Sequence, residues 1–365
     1  MNGLQQAADS YFPTGTALSI SPLGEGHIHD SYVLRAGLGE PSQRLVLQRI
    51  NRSVFPDPQG LVRTISRVTE HLRSKALASG RDAERQVLRL APTRDGSLLA
   101  GDSDGEVWRA YAMIERAAPA AYPQSPAEAH AIGSAFGLFL RDLSDFPLAE
   151  IEASLPNLHD AGHHLKLLDD ARREDPLHRL GDVAEELTLI DGRREDAEAL
   201  LAGMPRRAIH ADTKINNVLL DDATGQGLCV IDLDTVMGGT SAIDIGNFLR
   251  SVLRRSHSVE HASSEPGLAF FEAGLRGYRK GVGDLLDGAE WAAVLDALLQ
   301  TAVVLAVRFL ADYLAGDRYF RVTQGRDNLR RCREQLAVVT WVESYRAELQ
   351  DLVLRVVGSE VDAEP

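Results

Sequence analysis

Hydrophobic positions in the first 115 residues fall in short runs bounded by Gly, Pro or charged turns, the pattern of β-strands. Ala17–Pro22, Ser31–Ala36, Arg44–Ile50 and Gln86–Ala91 are such runs. Leu98–Ala100 and Val107–Glu115 flank the turn Asp102–Gly105 and predict a hairpin. Among them, Leu61, Ile65, Val68 and Leu72 recur at i, i+4, i+7 and i+11, a single apolar stripe along a helix. This part of the chain reads as an antiparallel sheet with one packed helix.

Pro119, Pro123 and Pro126 then interrupt the chain, and the period changes from two to that of a helix. Ile132, Ala135, Phe136, Phe139, Leu140 and Leu143 share one face of a helix over Ala127–Leu143. Leu165–Asp170 and Val183–Met204 continue the helical pattern, and helices dominate again from Phe270 to Leu354, with Glu290–Ala315 the longest. One strand-like island lies in this half, Asn217–Asp234, where two apolar runs flank the turn Ala223–Gly227. The expected class is α+β: a sheet lobe over residues 1–117, a larger helical lobe over 118–357, and a frayed acidic tail over 358–365.

Composition narrows the function. Of 365 residues, 44% are hydrophobic and 25% charged, which excludes wholesale disorder. The net charge of −14 speaks against a nucleic-acid partner, which would need positive charge against phosphate. Two cysteines, Cys229 and Cys332, make neither a disulfide framework nor a zinc ribbon, so a reducing, cytoplasmic setting is expected. The N-terminus has no signal-peptide pattern. The most apolar window, Ala302–Val307, is far short of the ~20 residues a membrane helix needs and reads as a core helix.

The island holds the chemistry. Ile209-His-Ala-Asp-Thr-Lys-Ile-Asn-Asn217 leads into one strand, and a second strand ends in Val230-Ile-Asp-Leu-Asp234. Phosphoryl transfer from ATP needs a carboxylate for the proton of the attacking hydroxyl and oxygen ligands for Mg²⁺. Asp212 and Asn217, five apart on one loop, can face one cleft, and the returning strand delivers Asp232 beside them. Taken singly, Asp212 is more commonly a helix N-cap and Asp232 or Asp234 a turn residue after a strand, and Asn217 alone carries no signal; the ordered run is what points to the reaction.

These segments resemble the catalytic and metal-binding motifs of the aminoglycoside phosphotransferase and choline kinase superfamily, relatives of the protein kinases. The turn Gly24-Glu-Gly-His-Ile-His-Asp-Ser-Tyr-Val33 is similar to one that covers ATP phosphates, and Arg44–Asn51 to the strand that presents a basic residue to them. LQRIN-x-x-VF, DTK-x-NN, VIDLDTVM and GDRYF are similar to the N-acetylhexosamine 1-kinase type. The resemblance implies a protein-kinase-like two-lobed fold using ATP and Mg²⁺. ATP is then expected in the cleft between the lobes, near Gly24, Gly26 and Arg49, with adenine against the link Met113–Ala117, where Glu115 and Ala117 stand.

Residue by residue, the resemblance gives Asp212 as catalytic base, Asn217 and Asp232 as metal ligands, and His210 and Asp244 as braces of the loop. Lys214 is either a γ-phosphate contact or a solvated lysine, and Arg49 either a phosphate ligand or an outward charge. Glu70, the one carboxylate well inside the first helix, borders the apolar stripe and either partners Arg49 or faces solvent. Asp234 reaches the metal or the sugar, or caps its strand. Arg308, Asp312 and Tyr319 fall where the resemblance puts the sugar pocket, although Arg308 and Asp312 at i+4 suit an ion pair equally. The implied acceptor is an N-acetylhexosamine phosphorylated at C1. The alternatives are an aminoglycoside, a choline-like amine or another amino alcohol, or a kinase-fold binding protein without turnover. Met237-Gly-Gly-Thr240 and Asp244-Ile-Gly-Asn247 depart from the sugar-kinase pattern near the acceptor side. His159, His163 and His164 offer zinc-like spacing without a third ligand motif and read as surface or interface residues. Cys229 reads as core, and the run Arg326–Arg333 as a solvated face.

Overall fold

A computed structural model describes residues 3–24, 28–37, 43–194, 203–254 and 264–358. The chain divides into two compact units, Met1–Arg116 with Ala149–Leu155, and Ala117–Leu148 with Pro156–Pro365.

The first unit is built on an antiparallel sheet of β1 (Leu18–Pro22), β2 (Asp30–Ala36), β3 (Gln43–Arg49), β4 (Leu90–Ala91), β5 (Ala100–Gly101) and β6 (Val107–Ala112). The order is β1-β2-β3-β6-β4, with β5 also on β6. Period-two alternation sends Leu34, Leu45, Leu47, Trp108 and Ala110 to one face. Ala7, Ala8, Tyr11 and Phe12 close that face from the helix Gly3–Asp9 and the turn after it. That helix was not legible in the sequence, because seven residues with two buried alanines show no stripe. The expected helix is Pro58–Ala78, started by Asp57, whose carboxylate accepts from Gly60 N at 3.0 Å, and buried along Leu61, Ile65, Val68 and Leu72. The expected strand Gln86–Ala91 is mostly not one. Asp82 accepts from the backbone N–H groups of Glu84 and Arg85, nucleates the helical turn Ala83–Gln86, and leaves β4 two residues.

Residues 149–155 were expected in the helical lobe but cluster with the first unit. Two sets of bonds bind them there: Glu152 N donates to Thr64 Oγ1 at 3.0 Å, and the Glu152 carboxylate takes a bidentate pair from Arg63 at 3.0 and 2.6 Å.

The second unit is mainly helical, and its strands are more numerous than one island. β7 (Ala117–Pro119), β8 (Arg207–Ile209), β9 (Val218–Asp221), β10 (Gly227–Val230) and β11 (Met237–Gly239) form two small antiparallel sheets, β10-β9-β7 and β11-β8. Three-residue strands carry no readable period, which hid β7, β8 and β11. The expected long helix Glu290–Ala315 is two helices, Gly288–Ala292 and Val294–Ala315. Asp287 and Glu290 make a reciprocal capping box for the first, and Ala293 separates them. Of the expected helix Val183–Met204, Ala184–Asp191 is seen, and 195–202 lie outside the described residues, as do 359–365 of the tail.

Val294–Ala315 is longer and more apolar than its six-residue core suggested: by length and composition it would be able to cross a membrane. In this fold 67% of its most apolar window is buried, with Ala302, Val303, Val307 and Leu310 in a cluster shared with Leu165, Leu168 and Leu336. The helices Pro126–Asp142 and Ser264–Val282 approach through glycine, Gly133 and Gly137 against Gly274, Gly277 and Gly281.

Candidate active site

The loop after β8 and the return of β10 build the site. β9 and β10 pair with Val218 opposite Val230, and Ile231 N donates to Asn217 O at 2.8 Å, so Asp232 emerges beside the loop that carries Asp212. Two residues here hold left-handed backbone without being glycine: Ala211 at φ +66° and Asp232 at φ +62°. Such conformations cost about 1–3 kcal/mol each and persist only where neighbours impose them.

Lys214 lies between the carboxylates. Its Nζ is 2.6 Å from Asp212 Oδ2 and 3.4 Å from Asp232 Oδ2, so it is not a free surface lysine. Burial alone would push the Asp212 carboxyl up; the Lys214 ammonium outweighs burial and holds it near about 2. Burial likewise disfavours the Lys214 charge, and the two carboxylates overcome it and raise its pKa. Asn217 donates its Nδ2 to the Asp212 carbonyl at 2.8 Å, which leaves its side-chain oxygen as a ligand atom. Asn217 and Asp232 thus offer hard oxygen donors at a point already electrostatically suited to a cation, a set that fits Mg²⁺. Among the described residues there is no group of three His, Cys, Asp or Glu disposed to hold a metal.

Asp244, fully buried near the start of the helix Ser241–Leu253, accepts from His210 N and Ala211 N at 2.8 Å each, while its backbone carbonyl accepts from Thr213 Oγ1 at 2.6 Å. Burial pushes its carboxyl up to about 6. The same helix contributes a residue the sequence reading missed, Arg250. It is 4% exposed and held by neutral amides, Asn247 Oδ1 at 2.9 and 2.7 Å and Gln335 Oε1 at 2.9 Å. Burial lowers its pKa to about 9, and Asp212 lies within its electrostatic reach.

In the first unit Gly24 stands at φ +65°, open to such a turn, whereas Gly26 lies outside the described residues. Arg49 pairs with Asp30, its register partner on β2, and reaches Glu106 at 3.8 Å. Glu70 is not its partner; it is exposed and accepts from Ser66 Oγ at 2.8 Å. Glu115 pairs with Arg44, and its carbonyl accepts from Arg85 at 3.0 Å. Ala117 opens β7, opposite Asp221.

The acceptor-side residues separate. Arg308 forms no ion pair with Asp312. Its guanidinium lies 5.8 Å from the Tyr319 ring centroid and 5.5 Å from that of Phe320, within electrostatic reach of Asp212. Asp312 corrects its assignment to the acceptor: its carboxylate is 7% exposed and filled by Arg318 N, Tyr319 N, Phe320 N and the Asn328 amide at 2.8–3.0 Å. It fixes the loop that carries Tyr319, which remains 44% exposed. Asp234 is buried in the short helical turn Leu233–Thr235. The histidines point to backbone: His159 Nε2 to Ala211 O at 2.6 Å and His164 Nε2 to Leu158 O at 3.1 Å, while His163 packs its ring on His164. Burial lowers the pKa of His159 and of His164 to about 4, so both are neutral. Along the run Arg326–Arg333, Arg333 pairs with buried Glu186 at 2.5 Å and Arg326 with Asp182 at 3.1 Å.

Residues 19–294 match the profile of the phosphotransferase enzyme family. Among solved structures, an amicoumacin kinase in complex with AMP-PNP, Ca²⁺ and Ami superposes with a TM-score of 0.59 at 14% identity over 92% of each chain. An aminoglycoside phosphotransferase from Alicyclobacillus acidocaldarius gives 0.57 at 15% identity over 95% of each chain. A choline kinase from Cryptosporidium parvum gives 0.54 at 13% identity over 97% of this chain and 94% of its own. At these identities the likeness is one of fold, and it agrees with the kinase-like α+β class.

Proposed function

We propose that this chain, which belongs to the phosphotransferase enzyme family, moves the γ-phosphate of ATP to the anomeric hydroxyl of an N-acetylhexosamine. The observation that supports transfer is the joined set Asp212, Lys214, Asn217 and Asp232 on one loop and hairpin. Asp212, held ionised, orients the acceptor hydroxyl and takes its proton. Lys214 offsets charge that develops on the transferring group. Asn217 and Asp232 would hold Mg²⁺, which when bound neutralises phosphate charge.

The acceptor class rests on Arg308. A guanidinium without a carboxylate partner among the described residues, beside an exposed Tyr319, suits the carbonyl of an acetamide and ring hydroxyls. The same charge repels a polycationic aminoglycoside or a choline-like amine. Gly24 and Arg49 are proposed on the nucleotide side. The Arg49–Asp30 pair is about 40% open to solvent, so exchanging Asp30 for phosphate costs little.

The test is ADP release with Mg²⁺ across N-acetylhexosamines, unsubstituted hexoses, amino alcohols and aminoglycosides. N-acetylhexosamines are expected to lead the panel; ADP formed only with cationic acceptors overturns the acceptor reading. Asp232→Ala is expected to raise the Mg²⁺ concentration needed for half-maximal rate and to cut kcat. An unchanged Mg²⁺ titration would remove Asp232 from the metal. Arg49→Ala is expected to raise KM for ATP with kcat near the parent value, since a contact kept in ground and transition states is uniform binding. Steady-state kinetics at varied ATP check this, and an unchanged KM returns Arg49 to a purely structural pair.

A further inference from the structure

We propose that His159 is a positioning residue for Asp212, acting through the peptide plane between Ala211 and Asp212; the inference rests on the reading of Asp212 as the base. That plane is gripped at both polar ends by imidazole rings from distant parts of the chain. Its carbonyl, Ala211 O, lies 2.6 Å from His159 Nε2. Its N–H, on Asp212, donates to His210 Nδ1 at 3.2 Å.

The partners fix both tautomers. A carbonyl oxygen accepts only, so His159 carries its proton on Nε2. A backbone N–H donates only, so His210 Nδ1 is bare and its Nε2–H donates to Ile231 O at 2.9 Å. Neither ring serves its hydrogen bond in the opposite tautomer. The grip has work to do, because Ala211 stands at φ +66° with its own N–H committed to Asp244 at 2.8 Å. Rotation of the following peptide plane is the freedom left to that residue. Such a rotation would swing Asp212 away from Lys214 and from the acceptor hydroxyl. His210 restrains one end through a local bond two residues away. His159, fifty-two residues upstream and next to the N-cap Asp160 of the helix Ala161–Glu174, ties the other end to a separate element.

The His imidazole and the Gln carboxamide place Nε2 the same number of bonds from Cβ, whereas the Asn amide nitrogen ends at the reach of Nδ1. Three variants therefore separate positioning from packing: His159→Phe, His159→Gln and His159→Asn. In ADP-release kinetics with the acceptor that the wild type uses, His159→Phe and His159→Asn are expected to lose roughly 10–100-fold in kcat, as a small misplacement of a reacting group does. KM for ATP is expected to stay within about twofold, and His159→Gln to regain most of kcat. Equal rates for the Gln and Asn variants, or a folded His159→Phe with parent kcat, overturn the proposal. Nitrogen-15 NMR of the wild-type imidazoles is independent of turnover: His159 neutral at pH 7 with the proton on Nε2 supports the grip, and the Nδ1–H tautomer or a charged ring overturns it. Absence of turnover in the wild type with every acceptor would sink the catalytic reading, and with it the positioning role, even where NMR upholds the hydrogen bond.

Discussion

Asp212→Asn is expected to fold as the parent does and to lose about 10²–10⁴-fold in kcat, the usual cost of removing a general base. The substitution is nearly isosteric, and the bonds that shape the loop are made by its backbone. Asn217 Nδ2 still reaches the carbonyl of residue 212, and the N–H of residue 212 still reaches His210. Lys214 loses one carboxylate and keeps Asp232. What disappears is a group able to take the hydroxyl proton. Single-turnover rates beside thermal melting of the same protein make the comparison. Parent kcat in the variant would remove Asp212 from the mechanism.

Gly277→Ala is expected to lower stability by about 2–3 kcal/mol with little direct effect on the reacting groups. A Cβ at Gly277 would lie 2.0 Å from the backbone oxygen of His130, and one at Gly281 2.1 Å from that of Ser134. The opposing helix reciprocates: a Cβ at Gly133 meets Gly274 O at 2.3 Å, and one at Gly137 meets Tyr278 O at 2.3 Å. Backbone atoms cannot rotate away as a side chain can, so the two helices must separate and forfeit packing along their length. Gly181→Ala, where nothing lies within 4 Å of the new methyl, is the control and is expected to be near neutral. Urea unfolding measures both. A midpoint for Gly277→Ala equal to that of the parent, at unchanged slope, would contradict the close approach.

What the sequence made legible follows from the range of the interactions involved. The stripe Leu61–Leu72 and the β9–β10 hairpin are local patterns with a clear period, and both appear as read. Local capping chemistry overrode pattern at Gln86, where Asp82 starts a helix, and at Ala293, where the capping box of Asp287 sets off a separate short helix. Asp212, Lys214, Asn217 and Asp232 were readable because their spacing on one hairpin brings them together. Asp312 was misread because its partners lie six to eight residues on, in an irregular loop whose backbone N–H groups leave no sequence trace. The pairing of Arg49 with Asp30 was hidden because strand register had to be known first. His159 reads from sequence only as a surface or interface residue, and Arg250 carries no signal there, for the same reason at longer range: the Ala211 carbonyl stands 52 residues from His159, and Gln335 stands 85 residues from Arg250.

The acceptor and its reacting oxygen are the core of the account, and product analysis tests both at once. One base serves only a hydroxyl held in line with the γ-phosphate, so the pocket contacts decide which oxygen reaches Asp212. An anomeric hydroxyl is more acidic than a primary one, and a carboxylate kept ionised by Lys214 is a weak base better matched to it. The decisive measurement is phosphorus–proton correlated NMR of the product made from N-acetylglucosamine or N-acetylgalactosamine with ATP and Mg²⁺. A phosphorus signal coupled to the anomeric proton is the expected result. Coupling to the C6 methylene protons instead, or ATP left intact with either sugar, would contradict it.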